Sequence, residues 1–150
     1  MEKFTIKNLA EFEKFTKEFL EKIYKIKTES GDRPVVISLV GDLGVGKTTF
    51  VQILARELGI KEVVNSPTYI ILKQYQIEDN KNFKQLVHMD AYRLDSLKEL
   101  EPLRFNEYLN QSDTVMCIEW ADKIKEKLPA DIINVSIRIV NEETREIIVG

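Results

Sequence analysis

The eight residues Gly-Asp-Leu-Gly-Val-Gly-Lys-Thr, positions 41–48, constrain this chain more than any other stretch. They follow the continuous apolar run Val35–Val40, which suits a central strand covered on both faces. They lead into Lys47–Leu58, where Phe50, Val51, Leu54 and Leu58 fall on one helical stripe and Gly59 supplies the stop. The spacing G-x-x-x-x-G-K-[ST] is met without a mismatch, between a buried strand and an amphipathic helix. Glycines let the backbone curl so that successive N–H groups point inward at phosphate oxygens, and the helix start adds the positive end of its dipole. Gly41, Asp42, Leu43, Gly44, Val45, Gly46, Lys47, Thr48 and Thr49 therefore read as a phosphate cradle. Lys47 would reach the β- and γ-phosphates, the Thr48 hydroxyl would ligate Mg²⁺, and Thr49 would donate toward the α-phosphate.

The remaining pattern places this cradle in a larger sheet. Asn8 and Glu11 resemble a capping box, and Leu9, Phe12, Phe19, Leu20 and Ile23 recur at helical spacing, predicting an amphipathic helix of about four turns. The turn-rich segment Thr28–Pro34 ends it. Residues 66–77 and 83–90 are both strand-like and flank Glu-Asp-Asn-Lys-Asn, which predicts an antiparallel hairpin. Ser96 and Glu99 form a second capping box before a helical stretch that Pro102 interrupts. Thr114–Trp120 reads as a buried strand, Asp122–Leu128 as a short helix stopped by Pro129, and residues 132–140 and 145–150 as a C-terminal hairpin. The expected fold is α/β: a P-loop NTPase-like three-layer sandwich, its parallel core sheet extended by antiparallel strands. No linker or repeat divides the chain, so residues 1–150 read as one domain.

A P-loop needs an acid at the end of a neighbouring apolar strand to hold hydrated magnesium. Glu119 ends the more apolar strand and is the better match; Asp90 ends a wetter one. Glu119 is assigned to the magnesium shell and Asp90 to the attacking water or a second metal-bound water, and the residues alone leave the two roles interchangeable. Thr68, in the turn Asn65–Tyr69, is a candidate γ-phosphate sensor, against a plain strand-entry turn fixed by Pro67. His88 shares a strand face with Asp90 but reads first as a buried structural histidine. Arg93 offers either transition-state charge or a surface ion pair. Trp120 reads as core filling, with a lid over the nucleotide as the other option.

Composition narrows the partners. Lys and Arg total 22 and Asp and Glu 25, a net charge of −3, whereas a dedicated nucleic-acid binder carries a basic surplus. The single cysteine, Cys117, excludes an intrachain disulfide framework and a multi-cysteine zinc site, and it reads as a small core residue. No apolar run approaches membrane-spanning length and the N-terminus is unlike a secretory signal, so a cytoplasmic protein without a membrane partner is expected. There is no N-K-x-D guanine reader and no D-x-x-G after Asp90, which favours ATP/ADP over guanine nucleotides.

Taken together, Gly41–Phe50, Ser66–Tyr69, His88–Leu94 and Ile118–Pro129, in this order, closely resemble the TsaE (YjeE) family, small bacterial P-loop ATPases needed to make threonylcarbamoyladenosine in tRNA. The resemblance runs from about Val35 to Pro129. It implies that Ser66–Tyr69 is a switch segment, Asp90–Arg93 a D-x-Y-R element, and Glu119–Trp120 the family's Glu-Trp pair. Small departures, such as Tyr69 where Phe is common and Ala91 where Leu is frequent, touch no chemical group. The resemblance further implies an accessory ATPase that resets a complex of TsaD and TsaB, with tRNA met only indirectly through that complex. The absence of a recognisable acceptor site beside the loop agrees with this. A small-molecule kinase and a non-catalytic nucleotide sensor are the alternative readings.

Overall fold

The apolar run before the Gly-rich loop forms the middle of a seven-stranded sheet. The computed structural model describes residues 1–65 and 71–150. Along the chain the elements are β1 (Glu2–Ile6), α1 (Leu9–Ser30), β2 (Val35–Val40), α2 (Lys47–Leu58), β3 (Leu72–Gln76), β4 (Gln85–Asp90), α3 (Phe105–Leu109), β5 (Thr114–Glu119), β6 (Ile133–Ile139) and β7 (Arg145–Val149). Two 3₁₀ segments, Leu97–Leu100 and Ala121–Lys127, complete the described residues.

The strands lie in the order β1-β7-β6-β2-β5-β4-β3. β2 pairs in parallel with β5 and β6, and β4 pairs in parallel with β5. The outer strands β3, β7 and β1 attach antiparallel. This is the parallel core with antiparallel extensions that the apolar pattern predicts. Every side chain of β5 is buried, as is all of β2 except Val40, because both faces of these strands are covered.

One face is sealed by α1 and α2. Phe15 lies against Phe4, Phe19 and Phe50 at centroid distances of 4.9, 6.0 and 6.3 Å, so one aromatic cluster ties β1, α1 and the first turn of α2 together. The opposite face packs Val36, Val87, Met89, Met116 and Ile118 against Leu100, Phe105 and Ile124. There the expected helices shorten. Pro102 has no N–H to continue a helix, and the segment splits into a 3₁₀ turn and the five-residue α3. The segment before Pro129 is likewise 3₁₀.

Two expectations are corrected. α1 runs 22 residues, about six turns rather than four. Beyond Ile23 its apolar stripe fades, but Lys27 reaches the carbonyl of Ser112, the Tyr24 ring stacks on Phe83, and Gly31 caps the end by donating its N–H to the Lys27 carbonyl. β1 had no counterpart in the sequence reading. It is an edge strand of five residues with only Ile6 buried, too short for alternation to stand out.

Gly59 closes α2 at φ 102°, and a Cβ there would lie 2.6 Å from the Glu78 carbonyl oxygen. Gly59→Ala is expected to cost about 2–3 kcal/mol, through both the left-handed backbone and the clash. Chemical denaturation measures it; a loss below about 0.5 kcal/mol would show that the segment carrying Glu78 yields instead.

Candidate functional site

Parallel pairing sets Leu39 of β2 opposite Glu119 of β5, and Glu119 opposite Asp90 of β4. The Gly-rich loop and both strand-end acids therefore share the carboxyl edge of the sheet, where open α/β folds receive ligands. Gly41 starts the loop against β6. A Cβ at this position would sit 2.5 Å from the Ile137 carbonyl oxygen and 2.7 Å from the Val45 side chain, so only glycine fits. Val45 is buried and anchors the loop, donating its N–H to Asp42 across 3.3 Å, while Asp42, Leu43 and Gly44 face solvent. Gly46, at φ 118°, turns the chain into α2 with Thr48 and Thr49 in its first turn. Arg145 of β7 braces the loop from the far side: its Nε donates to the Val45 carbonyl at 3.2 Å.

At the centre is a buried chain of three side chains. Lys47 Nζ donates to the Gly41 carbonyl at 2.5 Å and lies 3.6 Å from Glu119 Oε1. Glu119 Oε2 is 3.1 Å from His88 Nε2. Glu119 is 6% exposed and His88 wholly buried. Burial works to raise the Glu119 pKa, but the His88 hydrogen bond and the Lys47 ammonium outweigh it and hold the carboxyl below its ordinary value. Glu119 is thus kept as an anion beside a cation that is not committed to a rigid pair. The Lys47–Glu119 contact, at 3.6 Å, is a single long approach rather than a bidentate pair.

The other candidates fall around this chain. Asp90 is half-buried at the end of β4, and its Oδ1 accepts the Tyr92 N–H at 3.0 Å. Its own N–H donates to the Ile71 carbonyl at 2.7 Å, so β3 helps hold the strand end that carries it. Thr68, with the rest of Ser66–Tyr69, lies outside the described residues. Arg93 is exposed in the turn after β4.

His88 is the buried histidine expected, and its partner is Glu119. Trp120 is not core filling: it is 44% exposed, held at φ 60°, with its ring 6.0 Å from Lys47 Nζ and 5.0 Å from the Tyr92 ring. The kink after β5 turns it out of the sheet. Cys117 is a buried core thiol, pushed to a higher pKa by burial and then by the nearby Glu119 charge.

Two hollows flank the loop. A cavity of about 640 Å³ meets its Gly41–Asp42 side and Lys47, and is walled by Trp120, Lys125, Leu128 and Asn134. A smaller groove, about 240 Å³, meets Gly44–Gly46 and Thr49 and is lined by Asn8, Phe12 and Arg145. Arg145 and the N-terminal residues went unnoticed in the sequence because they reach the loop only through pairing of distant strands.

A parallel sheet centre, a Gly-rich turn into a helix, and a lysine beside a strand-end carboxylate define the P-loop type of α/β protein. The likeness is confirmed by a solved structure: the crystal structure of Bacillus subtilis YdiB superposes with a TM-score of 0.67 at 31% identity, covering 97% of this chain and 82% of that one. The chain belongs to the TsaE family: residues 6–147 match the family described as threonylcarbamoyl adenosine biosynthesis protein TsaE. It is 42% identical over 112 residues to the tRNA threonylcarbamoyladenosine biosynthesis protein TsaE of Bacillus subtilis, covering 75% of this chain and 66% of that protein. It is 37% identical to the protein of that name from Haemophilus influenzae, covering 80% of this chain and 72% of the relative.

Because the Glu119 pKa is lowered in the folded chain, its ionised form contributes stability above the ordinary carboxylate value of 4.5. That contribution disappears as pH falls through the folded value. Denaturant titrations at stepped pH should show Glu119→Gln flattening this acid-side loss of stability. An unchanged slope would contradict the pairing with His88 and Lys47.

Proposed function

We propose that this chain binds and hydrolyses ATP with Mg²⁺, and that hydrolysis resets a TsaD–TsaB transferase complex during tRNA threonylcarbamoyladenosine formation. The observation that carries this reading is the Lys47–Glu119 approach beside an intact Gly-rich loop, in a member of the TsaE family. Residues 1–150 act as one working domain in the cytoplasm and meet tRNA only through the partners. No helix among the described residues is long and apolar enough to cross a membrane.

The nucleotide's direction follows from the loop. Lys47 and Gly41 mark the γ-phosphate end, and Thr49 the α-phosphate end. The nucleoside then leaves toward the groove of Asn8, Phe12, Thr49 and Arg145, and the larger cavity lies beyond the γ-phosphate.

Among the described residues no three His, Cys, Asp or Glu side chains converge on one point. That suits magnesium, which keeps its waters and binds through phosphates with one or two protein oxygens. Thr48 and Glu119 would hold it, with Asp90 on an outer water. When bound, magnesium neutralises charge on the β- and γ-phosphates. Lys47 then holds the developing phosphate charge, Asp90 orients the attacking water, and Thr68 senses the γ-phosphate.

Hydrolysis is expected to be slow alone and faster with TsaD and TsaB; equal rates would count against the accessory role. Lys47→Ala is expected to lower turnover about 100-fold or more. Glu119→Ala is expected to keep nucleotide bound and lose magnesium-dependent hydrolysis, whereas unchanged turnover would transfer the metal role to Asp90. The cavity beyond the γ-phosphate favours a kinase as the second reading. One small molecule phosphorylated efficiently from ATP would establish it over the accessory role.

A further inference from the structure

We infer that His88 is a positioning residue that fixes the Glu119 carboxylate, so that one oxygen alone turns to the metal side when Lys47 moves to the phosphates. The inference rests on the reading of Glu119 as the magnesium-side acid. Three observations carry it. His88 is completely buried within β4, two residues before Asp90 and in register with Cys117 of β5. Its Nε2 meets Glu119 Oε2 at 3.1 Å, while Lys47 stands at Oε1. Its Nδ1 is buried with no hydrogen-bond partner among the described residues.

The unpartnered nitrogen determines the tautomer. A neutral imidazole carries one N–H. Placed on Nε2, it donates to the carboxylate and leaves Nδ1 as a buried lone pair. Placed on Nδ1, it would meet no acceptor among the described residues and set the Nε2 lone pair against an anionic oxygen. The Nε2 tautomer therefore aims its donor at Oε2.

The consequence is a division of labour across one carboxylate. Oε2 stays with His88 whether or not ligand is bound. Oε1 pairs with Lys47 in the empty site and becomes available once phosphates draw the ammonium away. Without the His88 anchor, the carboxylate can rotate, which spoils the metal-side geometry. Groups that orient a metal-side ligand in this way are typically worth about 10–100-fold in metal affinity.

The chain has one histidine, so long-range ¹H–¹⁵N NMR of the imidazole reads His88 without ambiguity. The expected spectrum has the proton on Nε2, and a proton on Nδ1 would overturn the inference. A fluorescent ADP analogue titrated with and without Mg²⁺ supplies the second readout. The wild-type chain is expected to bind more tightly with Mg²⁺. His88→Leu should lose about tenfold or more of that gain while keeping its Mg²⁺-free affinity within about twofold. His88→Gln, whose amide can place an N–H near the Nε2 position, should recover most of it. A folded His88→Leu chain that keeps the whole gain would overturn the inference. If that variant does not fold, the wild-type tautomer decides. A wild-type chain with no Mg²⁺ gain would instead overturn the underlying reading of Glu119, a distinguishable result.

Discussion

The parallel pairing of β2 with β5 is the constraint on which the rest depends. It sets Leu39 against Glu119, so the carboxylate arrives beside the lysine that the Gly-rich turn sends back from α2. A slip of one residue would turn Glu119 to the opposite face of the sheet. The register is held because every β5 side chain is buried. Val115 and Cys117 pack toward α1 and α2, and Met116 and Ile118 toward the other face, so no slipped arrangement satisfies both layers. The core thus fixes the chemistry to within one residue.

The same burial gives the charges their character. Glu119 is removed from water yet keeps its proton off, because His88 and Lys47 each face one of its oxygens. Lys47 is divided between the Gly41 carbonyl and Glu119. Neither contact has the bidentate geometry that would make release costly, so a phosphate can compete for the ammonium. The loop needs rigid support for that exchange. Gly41 abuts β6, Val45 is sunk in the core, and Arg145 grips the Val45 carbonyl from β7. The C-terminal hairpin, which carries none of the proposed catalytic groups, is in this way part of the site's frame.

Much of this was legible in the sequence because local and global signals agree. The apolar runs of β2 and β5, the stripe of α2 and the G-x-x-x-x-G-K-T spacing each state their structure independently. Glu119 and Asp90 were recognisable as strand ends. What escaped was set by distant contacts. β1 is too short to announce itself and exists because β7 offers an edge. The last turns of α1 are polar and depend on Ser112, Asn80 and Phe83, all far along the chain. The partner of His88 went unread because nothing nearby in sequence reveals that a diagonal neighbour on the next strand is Glu119. Trp120 read as core because an aromatic after a buried strand normally continues it, whereas here a left-handed residue turns it outward. Arg145 is 100 residues from the carbonyl it grips, beyond any local pattern.

The proposed exchange at Lys47 is tested most directly by a structure with Mg²⁺ and a non-hydrolysable ATP analogue. The predicted result is that Lys47 Nζ has left the Gly41 carbonyl for the β- and γ-phosphate oxygens, while Glu119 Oε2 remains on His88. A bound triphosphate with Lys47 still on Gly41, or with Glu119 swung away from His88, would contradict it.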